Sequence, residues 1–239
     1  MALGLYTVLP AGRRWNEAYQ ALLAPALPAV GLVLGGLWFG FTSLFSRWMP
    51  SPLAAAVMAM TLPCLTGFLH LDGFMDVADA MLCARPREEK LRILKDPHAG
   101  SFAVVSLACL LLLQAGACYS ILEQGKALTA LWGLPVIARA GAALAVMTIR
   151  PMAQSGYGKM NYSGASPAKR WFCALCLVAA MAVMFALDWR GGAACLAAMA
   201  GFAASCAWAV NGLGGMNGDI AGWSVCCAEV LGLAALACL

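Results

Sequence analysis

The sequence predicts an all-α integral membrane protein, a polytopic helical bundle of about six or seven transmembrane helices. Hydrophobic residues make up 63% of the chain and charged residues only 11%, whereas a soluble domain is roughly a quarter charged. The mean hydropathy is +0.81. Since a membrane-spanning helix needs about 20 apolar residues, the 239 residues have room for about six or seven spans.

Seven apolar runs, separated by short polar connections, carry this prediction. The runs cover residues 25–46, 52–71, 100–121, 127–149, 171–187, 191–210 and 220–239. We expect residues 1–239 to form one transmembrane domain, with an N-terminal segment over 1–24 and two charged loops over 84–99 and 150–170.

The cations predict the orientation of the bundle. One set of alternate connections carries Arg13, Arg14, Arg85, Arg87, Lys90, Arg92, Lys95, Arg150, Lys159, Lys169 and Arg170. The opposite set carries only Arg47, Lys126 and Arg190. Because cytoplasmic loops are enriched in Lys and Arg, we expect seven spans with the N-terminus inside and the C-terminus outside. The segments 1–24, 84–99 and 150–170, with the glycine-rich turn at 211–219, would then share the cytoplasmic face.

Composition also argues against two other classes of protein. The net charge of +4 comes from loop cations rather than from a basic patch with interleaved aromatic residues, so no nucleic-acid partner is expected. The cysteines lie mostly in apolar runs, and the one CxxC pair, Cys173 and Cys176, has no second pair or nearby histidine. Packing therefore explains them better than a metal or redox site does.

The segment HLDGFMDVAD at 70–79 is the main candidate site. Asp72, Asp76 and Asp79 are spaced i, i+4 and i+7, so on a helix their carboxylates point the same way. Such like charges at a membrane boundary need compensation, and hard oxygen ligands suit Mg²⁺ or Mn²⁺. The alternative is a solvated helix end paired with the cations that follow. His70 fits either a hydrogen bond to substrate or a carboxylate, or interfacial packing.

Two further polar elements are expected to join these acids. In KDPHAG, Asp96 either caps the following helix or supplies a ligand or base. In GGMNGD, the glycines Gly214, Gly215 and Gly218 can present backbone N–H groups to phosphate. Asp219 then opens the last helix as a metal ligand or as a plain cap, and Glu229, on the same helical face, is taken as a further metal ligand.

Arg139 and the SGYGK segment are the remaining candidates for binding substrate. Arg139 lies within an apolar run, where a charge is costly and usually functional. Pairing with the acids, holding a phosphate and a purely structural ion pair all remain open for it. The SGYGK segment has two interpretations. It is either a phosphate-facing loop built from Gly156, Gly158 and Lys159, or an ordinary glycine-rich loop.

These motifs, in this order, resemble the cobalamin synthase family, the adenosylcobinamide-GDP ribazoletransferases. The matching stretches are TVLPAGRRW, LPAVGLVLGG, GFLHLDGFMDVADA, EEKLRILKDPHAG, Arg139, SGYGKM and GLGGMNGDIAGWSVCCAEVLGL. The resemblance implies a phosphotransferase that joins adenosylcobinamide-GDP to α-ribazole or its 5′-phosphate and releases GMP, giving adenosylcobalamin or its 5′-phosphate. It also implies a Mg²⁺ requirement and one multi-pass catalytic domain in a bacterial or archaeal cell membrane, in contact with lipid. The active site would face the cytoplasm, and a homo-oligomer is possible.

In this reaction a ribazole hydroxyl attacks the phosphorus that carries the cobinamide arm. Metal ions held by the aspartates would neutralise the pyrophosphate, and one of Asp72, Asp76, Asp79 or Asp96 would take the hydroxyl proton. Two other classes of protein fit the sequence less well. A CDP-alcohol phosphotransferase also uses aligned aspartates with a metal, but the acids after Asp72 come too soon for its longer pattern. A transporter would place its charges nearer the midplane.

Overall fold

The structure, a computed structural model, describes residues 1–10 and 16–239, and the regular elements of this part of the chain are all helices. Arg13 and Arg14, which enter the orientation argument, lie outside the described residues. The α-helices are α1 (Ala2–Tyr6), α2 (Leu27–Phe45), α3 (Ser51–Leu65), α4 (Leu69–Leu82), α5 (Arg87–Ile93), α6 (Ser101–Glu123), α7 (Ala130–Thr148), α8 (Gly156–Ser163), α9 (Pro167–Leu187), α10 (Trp189–Leu213) and α11 (Gly218–Cys238). A 3₁₀ helix at Glu17–Leu22 lies between α1 and α2.

Six of these helices, α2, α6, α7, α9, α10 and α11, are long and apolar enough to cross a membrane. The pair α3 and α4 adds a seventh span if the two count as one broken crossing. The predicted fold class, an all-α multi-pass membrane protein with six or seven spans, is confirmed. A helix is favoured in hydrocarbon because it satisfies its own backbone hydrogen bonds.

The predicted span at 52–71 is wrong in its extent. The helix α3 ends at Leu65, and α4 leaves it at an angle of 91°. Gly67 and Phe68 adopt left-handed backbone angles, with φ of +58° and +62°, and the Phe68 N–H turns back to donate to the Pro63 carbonyl at 2.8 Å. The acidic segment is therefore not the end of a straight span but a separate helix that crosses the bundle.

The helix α7 forms the centre of the bundle, with 89% of its most apolar stretch buried inside the protein. It packs against α2, α9, α10 and α11. Two glycines of α2 allow a close approach, because a Cβ at Gly31 would lie 2.6 Å from the Pro135 carbonyl oxygen and one at Gly35 would lie 2.7 Å from that of Trp132. Small residues at such crossings are typical of membrane helices.

The polar connections meet at one end of the bundle. Residues 150–152 pair with Met216, since the Met152 N–H donates to the Met216 carbonyl at 3.0 Å and the Met216 N–H donates to that of Arg150 at 2.9 Å. The Arg87 Nε of α5 donates to the Leu213 carbonyl at 3.2 Å. The loops predicted at 84–99 and 150–170 contain the short helices α5 and α8 and, with the glycine-rich turn, share one face.

Candidate functional site

The helix α4 crosses the start of α11 almost in backbone contact. A Cβ at Gly73 would lie 2.8 Å from the Asp219 Cα, and one at Gly222 would lie 3.0 Å from the His70 carbonyl oxygen. The Phe74 and Trp223 rings stack beside the crossing at 4.8 Å. Glycine on both helices thus brings the first acidic motif against the second, although nearly 150 residues separate them in the sequence.

Four carboxylates gather at this crossing. Asp72, Asp76 and Asp79 lie along α4 as predicted, and the Asp76 carboxylate is within electrostatic range of all the others, including Asp219 of α11. None of the four pairs with Lys or Arg among the described residues. Such an uncompensated cluster carries excess negative charge, so it attracts a cation.

Asp219 is not the cap of α11. The Asn217 Oδ1 accepts from the Ile220 N–H at 2.9 Å and so performs that function. The Asn217 Nδ2 also donates to the Asp219 Oδ2 at 2.6 Å, which orients the carboxylate toward the cluster. The interpretation of Asp219 as a plain cap is therefore wrong, and its carboxylate is left for another role.

Asp79, rather than Asp96, is hydrogen-bonded to the backbone at the start of α6. The Asp79 Oδ1 accepts from the Ala103 N–H at 3.4 Å, and the expected cap Asp96 instead accepts from the backbone N–H of His98 at 3.0 Å and from its ring at 2.7 Å. The backbone hydrogen bond from His98 lowers the pKa of Asp96. Asp96 is solvent-exposed and lines neither of the cavities described below, so its catalytic role stays a prediction.

The donor set of the cluster suits a divalent cation. Among residues 1–10 and 16–239, no three His, Cys, Asp or Glu side chains already converge as metal ligands. The four carboxylates nevertheless offer only hard oxygen donors without a protein cation beside them, which is the chemistry that Mg²⁺ or Mn²⁺ prefers. In donor type Asp72, Asp76, Asp79 and Asp219 therefore suit such an ion, and its binding here stays a prediction.

Two cavities flank Asp219. The inner cavity, of about 230 Å³, has mostly apolar walls formed by Leu5, Tyr6, Leu27, Leu69, His70, Asp72, Arg139, Ala142, Tyr157, Gly218, Asp219, Ala221, Gly222 and Val225. The outer cavity, of about 300 Å³, is more polar and is lined by Leu91, Leu94, Lys95, Met152, Gln154, Ser155, Gly156, Tyr157, Asn217, Gly218 and Asp219. The two share Tyr157, Gly218 and Asp219.

Arg139 and His70 line the inner cavity. Arg139 is 1% exposed and forms an ion pair with Glu229 of α11. The Arg139 Nε and the His70 Nδ1 are buried without hydrogen-bond partners in the described part of the chain. A buried polar atom without a partner is costly, so these two atoms mark an incompletely paired region beside the cavity. The substrate-binding roles of His70 and Arg139 stay predictions.

The structure brings Glu229 to Arg139 and not to the aspartate cluster. Ten residues along a helix correspond to about 15 Å, so Glu229 lies too far from Asp219 to bind the same ion. Of the partners left open for Arg139, the structure selects Glu229. The part of Glu229 in metal binding stays a prediction, and this pairing does not favour it.

The three glycines of GGMNGD differ in role. Gly214 has a φ of +81°, and its N–H donates to the Val210 carbonyl at 2.7 Å, so this N–H is used by the end of α10 rather than free for phosphate. A Cβ at Gly215 would lie 2.8 Å from the Met152 N, and packing explains this glycine. Gly218 borders both cavities, and it alone of the three is positioned near a substrate.

The SGYGK segment forms α8, and the Ser155 Oγ caps this helix by accepting from the Gly158 N–H at 2.9 Å. A Cβ at Gly158 would lie 2.9 Å from the Met216 carbonyl oxygen, whereas Gly156 has open space and lines the outer cavity. Lys159 is exposed and lines neither cavity. Of the three predicted residues, Gly156 is the one that borders the candidate site.

Sequence reasoning missed two tyrosines. The Tyr6 and Tyr157 hydroxyls are 2.9 Å apart, and they join α1 to α8 at the boundary between the cavities. Burial raises the pKa of both phenols, so both remain protonated. Tyr157 lies inside a motif that had been noticed for its glycines, but no local signal points to Tyr6.

The similarity of this chain to known proteins extends over most of its length. A family model described as cobalamin-5-phosphate synthase matches residues 1–237. An adenosylcobinamide-GDP ribazoletransferase of Clostridium botulinum (strain Alaska E43 / Type E3) is 35% identical over 237 residues, covering 98% of this chain and 94% of the relative. The protein of that name from Geobacillus kaustophilus (strain HTA426) is 34% identical over 231 residues, covering 93% and 88%. No solved structure matches. The resemblance seen in the motifs is confirmed, and the chain belongs to the cobalamin-5-phosphate synthase family.

Proposed function

We propose that this protein transfers the adenosylcobinamide-phosphate portion of adenosylcobinamide-GDP to α-ribazole or α-ribazole 5′-phosphate, with release of GMP. The carboxylate cluster beside two cavities carries the proposal, in a chain that belongs to this family. Relatives with 31% to 35% identity over almost the whole chain bear the name adenosylcobinamide-GDP ribazoletransferase.

The reaction exchanges one P–O bond for another. A ribazole hydroxyl oxygen bonds to the phosphorus that carries the cobinamide arm, the bond from that phosphorus to the bridging oxygen breaks, and GMP leaves with the bond electrons. The hydroxyl proton passes to a base, for which the aspartates of α4 are the candidates. A bound Mg²⁺ or Mn²⁺ would neutralise phosphate charge as it develops.

The residues of the chain supply position. Asn217 fixes the direction of the Asp219 carboxylate, and the contact at Gly73 fixes the distance between α4 and α11. Asp72, Asp76, Asp79 and Asp219 would hold the cation. His70 and Arg139 line the inner cavity, and we expect their side chains to contact a substrate bound there.

We also propose that the site faces the cytoplasm of a bacterial or archaeal cell, with the spans in the cytoplasmic membrane. The positive-inside bias of residues 84–99 and 150–170 supports this orientation. Reporter fusions ending within 85–98 or 150–170 should report a cytoplasmic location. An external signal from either segment would contradict the orientation, because both contribute to the same outer cavity.

The direct test of the function uses purified protein in nanodiscs with adenosylcobinamide-GDP, α-ribazole and Mg²⁺. GMP should appear in step with the cobamide product, and a chelator should stop its release until Mg²⁺ is restored. Absence of GMP above a protein-free blank would reject the assignment. Transfer from a CDP-alcohol under the same conditions would favour the rival lipid enzyme.

A further inference from the structure

The two cavities are separate chambers that meet at one point. The inner cavity lies among α1, α4, α7 and α11, and the outer cavity lies among α5, α8 and the segment around residue 152. They touch at Tyr157, Gly218 and Asp219, beside the carboxylate cluster. A phosphorus bound at this cluster would therefore have one chamber on each side.

Phosphoryl transfer needs such an arrangement. The attacking oxygen and the leaving oxygen lie roughly in line through the phosphorus, so the nucleophile and the leaving group approach from opposite sides. If the cluster holds the reacting phosphate, one chamber takes the attacking nucleoside and the other takes the nucleotide that leaves.

The residues that line each chamber indicate which chamber binds the attacking nucleoside and which binds the leaving nucleotide. The inner chamber has mostly apolar walls, including Ala142 and Val225, and its polar lining residues include His70 and Asp72. Such walls suit an aromatic base, and a few polar side chains among them suit the ribose or ring nitrogen attached to it. The outer chamber has a more mixed lining, and Lys95 is the one cationic side chain among its described lining residues, which suits a phosphate.

We propose that the inner chamber binds the base of the attacking ribazole nucleoside and that the outer chamber binds the GMP moiety, with Lys95 as a specificity-determining contact to its phosphate. This inference rests on the proposed function. The hydrogen-bonded pair of Tyr6 and Tyr157 lies where the two chambers meet, so the nucleoside and the GMP moiety lie on either side of the phosphorus that passes from GMP to the nucleoside.

A crossed pair of variants tests the assignment. In nanodiscs with Mg²⁺, Lys95→Gln should raise the inhibition constant and the dissociation constant for GMP about tenfold, the size of one charge-assisted hydrogen bond, and leave the KM for α-ribazole unchanged. Ala142→Val, which narrows the inner chamber, should raise the KM for α-ribazole and leave GMP binding unchanged. Leu5→Phe fills the same chamber from its partly exposed rim and should act like Ala142→Val.

The matched control is Arg92→Gln, which removes an exposed cation of α5, three residues before Lys95, that lines neither chamber. It should leave both constants unchanged. A reversed pattern, or a Lys95→Gln protein with wild-type affinity for GMP, overturns the chamber assignment. Since GMP binding is measured on each variant without the second substrate, this outcome is distinct from a wild-type protein that releases no GMP, which overturns the proposed function itself.

Discussion

Replacing Asp219 by Asn separates chemistry from folding at the centre of the site. The change removes a negative charge but almost no volume, and the cap of α11 stays in place because Asn217 provides it. A carboxylate in the first turn of a helix contributes about 0.3–1 kcal/mol through the helix dipole. Its loss is offset in part because repulsion from Asp72 and Asp76 is relieved.

The stability of the Asp219→Asn protein should therefore change by about 1 kcal/mol or less, and the midpoint of thermal unfolding should move by no more than about 2–4 °C in a chain of this size. Turnover should fall far more. Removing one group that stabilises charge in a transition state typically costs about 100-fold or more, so GMP release should drop by at least that factor while the protein stays folded.

The assay is GMP release in nanodiscs, with the thermal midpoint measured on the same preparation. The matched control is Asp188→Asn, because the Asp188 side chain caps the start of α10 by accepting from the Arg190 N–H at 3.1 Å, at the far end of that helix from Leu213. It should keep wild-type turnover. An Asp219→Asn protein with near-normal turnover would refute the shared site and reduce GGMNGD to a turn.

Three further predictions concern other parts of the bundle. Asp76→Asn should remove most turnover while membrane insertion stays normal, and near-normal GMP release would make the acidic face of α4 structural. Glu229→Ala should destabilise the protein by about 3–5 kcal/mol, since it leaves the Arg139 charge buried and unpaired. Replacing both residues by Met should restore the thermal midpoint but not activity. An unchanged midpoint in the Glu229→Ala protein would argue against the buried pair. Gly73→Ala should lower stability by about 1–3 kcal/mol and reduce turnover, because its Cβ would meet the Asp219 backbone. Gly116→Ala, whose Cβ has nothing within 4 Å, should be neutral, and equal effects of the two changes would contradict the close crossing.

The sequence alone predicted the helical membrane class, because a chain this apolar can satisfy its backbone in hydrocarbon only within helices or a closed barrel. It also predicted that Asp72, Asp76 and Asp79 share one face, since the helical period is fixed by local geometry. The order of the motifs along the chain was enough to identify the family. It was not enough to assign the partner of Arg139 or the role of Asp96, because those depend on which helices pack together.

Tertiary structure decided the rest. The 91° bend depends on a left-handed conformation at Phe68, which a residue of that type rarely adopts and which no local pattern signals. The contacts of Tyr6 with Tyr157 and of Arg139 with Glu229 join residues 151 and 90 positions apart. The shared face of the polar connections already predicted that Asp219 joins the acids of α4, but periodicity and motif spacing describe only near neighbours. The close crossing of α4 and α11 and the two cavities beside it were therefore fixed by packing across the whole bundle.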